Sequence, residues 1–406
     1  MGQASGKLHS SHKASLLAVG TGIEESDCFV QFRGRRLIIS AMHVLHLETG
    51  RNLYGGPRQV IELMRGLDAR GVRSTLACPT GSAIAAAATA AGLEVVTHAL
   101  GGDLDVASVS FLVAEVRRLK PDLLHVHSRR GADIFGGLAA AVAQIPAVLT
   151  RRVDSPDTPL IGHLKYLAYD RIVAISSAVR TQLETQGVPA AKLATIRSSV
   201  TAADCAPTWS REQFLAEFNI EPGQRTVAIA AQLIPRKGHA LFLKAWPLIR
   251  DQCPDARLLI FGTGPLEAEL KSRTGWGGTT TFCGFRADLR EFLGHIDLLV
   301  HPALYEGLGV SLLEAQAAGV AIVAFAAGGI PEVVADGETA LLVPPGDTVA
   351  LAAAVVRLLG DPNLRQRLGT AGRNRVQGKF GPLQMVDAYL ALYRKLLAEK
   401  AGTSKP

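Results

Sequence analysis

HVLHLETGRNLYGGPRQVIELMRGLDARG, residues 43–71, contains one whole unit of the fold. HVLHL is an apolar run of strand length. After the pair Gly55-Gly56, residues Val60, Ile61, Leu63, Met64 and Leu67 recur at three- and four-residue spacing, the mark of a helix with one apolar face, and Gly71 supplies its stop. The strand-then-helix unit repeats. Strand-like runs follow at 73–77, 94–98, 123–127, 146–149 and 171–175, and the alternation pauses at TAADCAP (201–207). A second series then places strands at 226–231, 256–261, 279–283, 298–302 and 321–325. This pattern predicts an α/β protein with two doubly wound domains, 42–207 and 208–380, each a parallel sheet covered by helices on both faces. The last segment, 381–406, reads as an amphipathic helix with apolar Met385, Val386, Tyr389, Leu392, Tyr393 and Leu396, expected to pack back on the N-terminal domain. Ligands of two such facing domains fall in the cleft at the carboxyl ends of the strands.

Residues 1–41 stand outside this pattern. Their segment SLLAVGTGI is short for the apolar core of a signal peptide, and the near-match to a myristoylation signal has Gly6 where Ser or Thr belongs. Met42 begins a stretch that reads like its own start, so 1–41 is expected to be an upstream extension, a non-native start with little function. The chain of 406 residues carries a net charge of +7, but the basic excess is spread evenly and aromatics make up only 5%. A nucleic-acid stripe is therefore not expected; a surface that tolerates anionic lipid is. The five cysteines are far apart with no C-x-x-C pair, which argues against a zinc site and suits a reducing compartment. No apolar run reaches the roughly 20 residues of a membrane span.

The chemistry concentrates in EGLGVSLLE, residues 306–314. Its glycines let the backbone approach a ligand closely, and the helix that follows offers free amides and a positive dipole end, the outline of a phosphate site. A structural reading competes, because Ser311-Leu-Leu-Glu314 has the form of a capping box. Arg236-Lys237 is a basic pair that alone reads as a solvated loop, but it follows a strand and precedes Gly238. His127 ends another strand, and His125, two residues back, is assigned to the opposite side of it. Asp103-Leu-Asp105 has a metal-binding D-x-D form but precedes a helix and reads as a cap. Gly262-Thr-Gly264 lacks the third glycine of a dinucleotide fingerprint, since Glu267 stands there.

EGLGVSLLE, followed by Ala315 to Gly319 and by GGIPEVVADGETALLVPPGD (328–347), resembles the nucleotide-sugar signature of retaining glycosyltransferases of family 4. The resemblance extends through GGPRQV (55–60), HVHSRRGAD (125–133), RKGH (236–239), GTGP (262–265) and Gly284-Phe285, so it covers nearly everything from Met42 onward. It implies the GT-B fold, two Rossmann-like domains across a cleft. It further implies that Glu306 orients the transferred sugar, that Glu314 holds the ribose, and that the amides of Gly309 and Val310, in the loop with Gly307 and Leu308, meet the diphosphate. Lys237 and Arg236 would face the leaving phosphate, with Gln232 where the family usually has an arginine. His127 would lie near the sugar, with Gly55, Gly56, Gly262 and Phe285 completing the donor site, and Lys237, Glu306 and His127 would be the catalytic set. Arg129, Arg130, Arg151 and Arg152, after strands of the first domain, are the expected acceptor residues, with surface ion pairing to Asp133 and Asp154 the equal alternative.

The expected reaction moves a hexose-type sugar from a nucleotide-diphosphate donor, with retention, to a hydroxyl of a cell-envelope glycan or lipid-linked acceptor. The resemblance implies lipopolysaccharide or polysaccharide biosynthesis in the cytoplasm, with peripheral contact to an anionic inner membrane surface, and neither cofactor nor metal. Two other classes fit the same fold: a nucleotide-sugar 2-epimerase and a non-catalytic partner subunit.

Overall fold

A computed structural model describes residues 29–32, 35–38, 42–100, 106–127, 131–153, 157, 164–274 and 278–403. The chain divides into two compact units, Met1–Ala41 and Met42–Pro406. In the first, strands β1 (Phe29–Phe32) and β2 (Arg35–Ile38) pair as an antiparallel hairpin, with Phe29 opposite Ile38.

The second unit holds two parallel sheets. The first is built from β3 (His43–Leu47), β4 (Arg73–Pro79), β5 (Glu94–His98), β6 (Leu123–Val126), β7 (Ala147–Arg151), β8 (Arg171–Ala174) and β9 (Leu193–Thr195), in the order β5-β4-β3-β6-β7-β8-β9. The second comprises β10 (Arg225–Ala230), β11 (Ala256–Phe261), β12 (Thr280–Gly284), β13 (Leu298–His301), β14 (Ala321–Phe325) and β15 (Leu341–Val343), in the order β12-β11-β10-β13-β14-β15. Each sheet reverses its winding beside its first strand, and that switch point opens a crevice at the carboxyl ends. Strands β9 and β15 were not anticipated. At three residues each they are too short to show a period of two.

Burial on both faces explains the near-continuous apolar strands: every residue of β3, β7 and β14 is buried. Alternation then sorts the side chains. Leu45, Leu47, Leu124 and Val126 enter one core, while Val44, Leu123 and Val148 enter another on the opposite face. The second core is completed by the helix Pro382–Thr403, whose Met385, Val386, Tyr389, Tyr393 and Leu396 join Leu63 and Leu67 of the helix Gly55–Asp68. Gly66 makes this approach possible, because a Cβ there would meet Val386 Cγ2 at 2.3 Å. Among the described residues no helix is long and apolar enough to cross a membrane.

Candidate active site

The cleft lies between the loop that opens Gly55–Asp68 and the loop that opens the helix Val310–Ala318, and it encloses about 330 Å³. Gly55, Gly56, Arg236, Lys237, Gly262, Phe285, Glu306, Leu308, Gly309, Val310 and Glu314 all line it, residues drawn from both domains. The helix begins at Gly309, which has a φ of 95° and provides no side-chain cap. Ser311 is already inside the helix, so the capping-box reading of Ser311 and Glu314 is overturned; a left-handed glycine has taken the cap position that a serine fills from an extended backbone. Gly307 serves the meeting of the domains, since a Cβ on it would lie 2.3 Å from the Arg152 carbonyl oxygen.

Lys237 and Glu306 form a buried ion pair facing this cleft. Lys237 is presented by the tight turn Pro235–Lys237, and Gly238 reverses the chain at a φ of 70° into the helix His239–Gln252. Only glycine fits there, as a Cβ would sit 1.8 Å from the Pro302 carbonyl oxygen. Glu306 also accepts a hydrogen bond of 2.8 Å from His301 Nε2 at the end of β13. Burial alone would raise the Glu306 carboxyl, but the Lys237 ammonium and the His301 bond outweigh it and hold the group well below the usual carboxylate range. The carboxylate is thus charged throughout the working pH range, an acceptor rather than a general acid. Arg236 donates to the Tyr305 carbonyl at 3.2 Å on the rim, and Gln232 lines the same wall.

Glu314 accepts from Arg290 Nε at 2.8 Å. Arg290 in turn reaches Glu62, on Gly55–Asp68 of the other domain, at 3.5 Å. Neither Arg290 nor Glu62 was found from the sequence, and no local signal marks a pair separated by more than two hundred residues. Arg58 adds another bridge between domains through a 2.7 Å bond to the Ala287 carbonyl, and the Tyr54 ring packs edge-on to Phe285 at 5.0 Å.

His127 and Arg152 line an adjoining cavity that shares Tyr54, Gly56, Arg152, Val153 and Gln232 with the first. His125 was assigned to the opposite side of the strand from His127; instead their ring centroids lie 3.7 Å apart, because residues two apart in a strand share a face. Arg151 and Arg152 do diverge. Arg151 is buried 3.5 Å from Asp157, beside the Asp133–Lys165 pair, so its place as an acceptor residue facing the cleft is overturned by the alternation that turns Arg152 the other way. Arg129, Arg130, Asp103 and Asp105 lie outside the described residues.

Among the described residues, His46, His125 and His127 are close enough to share a metal ion. Their nitrogens are largely committed: His125 bonds Tyr393 Oη at 2.6 Å and Thr150 Oγ1 at 2.7 Å, and His46 Nδ1 bonds His127 Nε2 at 2.9 Å. Burial depresses all three imidazoles, His46 to about 3, and the Arg152 guanidinium 3.4 Å from His127 Nδ1 opposes a second cation. The arrangement suits neutral hydrogen-bonding rings better than ligands.

Comparison with known proteins places these features in a family. Residues 54–203 match the Glycosyltransferase Family 4 model and residues 224–361 match the model for Glycosyl transferases group 1, one for each domain. The sulfoquinovosyl transferase of Arabidopsis thaliana is 29% identical over 294 residues, covering 68% of this chain but only 57% of the plant protein. Alpha-maltose-1-phosphate synthase of Mycolicibacterium smegmatis is 28% identical over 359 residues, covering 75% of this chain and 92% of that enzyme. Among solved structures, Anabaena HepE in complex with UDP and glucose superposes with a TM-score of 0.77 at 20% identity, over 86% of this chain and 99% of that one. The shared architecture is the GT-B fold.

Proposed function

Because the chain belongs to glycosyltransferase family 4, we propose that it transfers a hexose-type sugar, with retention, from a nucleotide-diphosphate donor to a hydroxyl of a glycan or glycolipid. The observation that carries this reading is the composition of one cleft: an uncapped helix start at Gly309, the buried Lys237–Glu306 pair and Glu314 face one another across it. Amides and a dipole end suit phosphate, while carboxylates suit the paired hydroxyls of sugar and ribose. The relatives act in sugar transfer by their names, and the HepE structure holds UDP and glucose.

In this reading the diphosphate lies on the amides of Gly309 and Val310, and Lys237 opposes the charge that develops as the bond from the anomeric carbon to phosphate oxygen breaks. The acceptor oxygen bonds that carbon from the same face, and its proton passes to the departing phosphate. Glu306 orients sugar hydroxyls, and the neutral His127 hydrogen-bonds another. No cofactor or metal is required by this scheme. The acceptor occupies the cavity around His127 and Arg152. A lipid-linked acceptor at a membrane surface, met on the cytoplasmic face in the building of an envelope polysaccharide, is supported by Leu138, Val142, Leu164 and Leu167, which are exposed on the first domain. Incubation with a panel of UDP-, GDP- and ADP-sugars, following nucleotide release and the anomeric configuration of any product, tests the proposal. Release from one donor with a retained anomer is expected. Inversion at C2 of the sugar without transfer would make the protein an epimerase, and failure of every donor to bind would reduce it to a non-catalytic partner.

A further inference from the structure

Arg290 meets three carboxylates from three parts of the chain, and the proposed transfer uses only one of them. Its Nε lies 2.8 Å from Glu314 Oε1, its Nη1 lies 3.5 Å from Glu62 Oε1, and the same nitrogen is 3.8 Å from Asp204 Oδ2. Glu314 belongs to the helix at the donor cleft and Glu62 to the helix Gly55–Asp68 of the opposite domain. Asp204 sits in the turn Ala202–Cys205, where the chain passes between domains. The side chains of Glu62, Arg290 and Glu314 are only 10–13% exposed, so water screens this contact weakly.

We propose that Arg290 is a positioning residue for donor recognition, holding Glu314 in place and tying it through Glu62 to the first domain, so that donor binding and closure of the cleft are coupled. The inference rests on Glu314 contacting the donor. Its geometry is that of a fork: the Glu314 and Glu62 bonds use different guanidinium nitrogens and do not compete. Glu62 is itself fixed, since Gln59 Nε2 donates to its other oxygen at 3.0 Å and Ser199 Oγ lies 3.4 Å away. Gln59 and Ser199 are joined by two further bonds of 2.6 and 2.8 Å, so the carboxylate cannot swing away without disturbing the end of the first domain.

The tie titrates. Burial pushes the Glu62 carboxyl up to about 7, against the pull of Arg290, with Glu314 and Asp204 adding to the rise. The groups facing it are Arg290, Glu314, Asp204, Cys205 and, from its own helix, Arg58 and Gln59. Above pH 7 Glu62 is ionised and holds Arg290; below, the cross-domain bond loses its charge.

The test measures binding of UDP-glucose and GDP-mannose, whose diphosphates do not titrate near neutrality, by calorimetry between pH 6 and 8. For the wild-type protein the dissociation constant of whichever donor binds is expected to tighten about fivefold as pH rises, within the range typical of coupled sites. Glu62→Gln keeps the shape and the Gln59 contact, and should abolish this slope, leaving weak binding at every pH while kcat at saturating donor stays within about twofold. Arg290→Lys keeps the charge without the fork and should weaken binding about tenfold with its melting temperature preserved. Wild-type slope retained in Glu62→Gln, or unchanged binding in Arg290→Lys, would overturn the coupling while leaving the transferase reading intact. Absence of donor binding by the wild-type protein would overturn both.

Discussion

Lys237 and Glu306 share one bond, so removing Glu306 takes the ammonium's carboxylate away, and removing Lys237 leaves Glu306 with its His301 bond alone. Lys237→Met should therefore lower stability by about 3 kcal/mol as well as abolishing turnover, because the carboxylate keeps the His301 bond but loses its countercharge. The double variant Lys237→Met/Glu306→Gln should recover most of that stability and none of the activity, which chemical denaturation of the cycle of variants would show. Additive losses would mean that the pair is not coupled. The pH dependence has a definite sign. The Glu306 carboxyl is depressed from its ordinary 4.5, so the stability it contributes is complete above about that pH and is lost as pH falls toward the depressed value. Glu306→Gln should therefore flatten the stability curve between pH 5 and 3, and a slope like that of the wild-type protein would disprove the assignment. At this scale the sequence was informative where a residue carries its own motif, as Glu306 and Lys237 do. It was silent where function depends on a partner distant in the chain: nothing around Arg290 announces Glu62, and Arg151 looked equivalent to Arg152 until the strand turned one inward to Asp157.

The elements around the site depend on single backbone positions. Gly238 joins a tight turn to a helix in a left-handed conformation, and its missing Cβ makes room for the Pro302 carbonyl. Gly238→Ala should then displace Lys237 and cost well over the roughly 1 kcal/mol of an ordinary glycine substitution. A melting temperature lowered by only a degree or two would show that the turn can relax. The C-terminal helix gives a second case. Tyr393 bonds His125, whose ring packs at a tilt against His127, so a helix from the far end of the chain supports a cleft residue of the first domain. Tyr393→Phe removes one buried bond and should destabilise by about 1 kcal/mol. It should also lower transfer more than donor binding, and equal losses in both would argue for a general loosening. The helix itself was legible from its apolar spacing, and so was every long strand. What escaped were the hairpin strands β1 and β2, the short β9 and β15, and the cap at Gly309, where a matching Ser and Glu spelled a capping box that the backbone does not use. Short elements and left-handed turns are set by tertiary contacts rather than by periodicity.

Across the whole molecule, one contiguous apolar core contains Leu45, Leu124 and Tyr169 of the first sheet region with Val227, Leu259 and Phe325 of the second. The Tyr54–Phe285 contact, the Arg58 bond to Ala287 and the approach of Gly307 to Arg152 add polar and steric joints between the same two halves. Domains joined only by a polar interface are expected to unfold separately; a shared core and a ligand gripped from both sides favour a single cooperative event. Calorimetry of the protein should accordingly show one transition for residues 42–406, and saturating donor should raise it as a unit. At a hundred times its dissociation constant a donor bound only by the folded state adds about 2.7 kcal/mol. Spread over a chain of this length, that gain moves the midpoint by only about 3 °C, so the shift must be followed as a function of donor concentration rather than at one point. Two transitions, with donor raising only the one that carries Glu306 and Glu314, would show that the second domain binds the nucleotide alone and that closure contributes nothing to affinity.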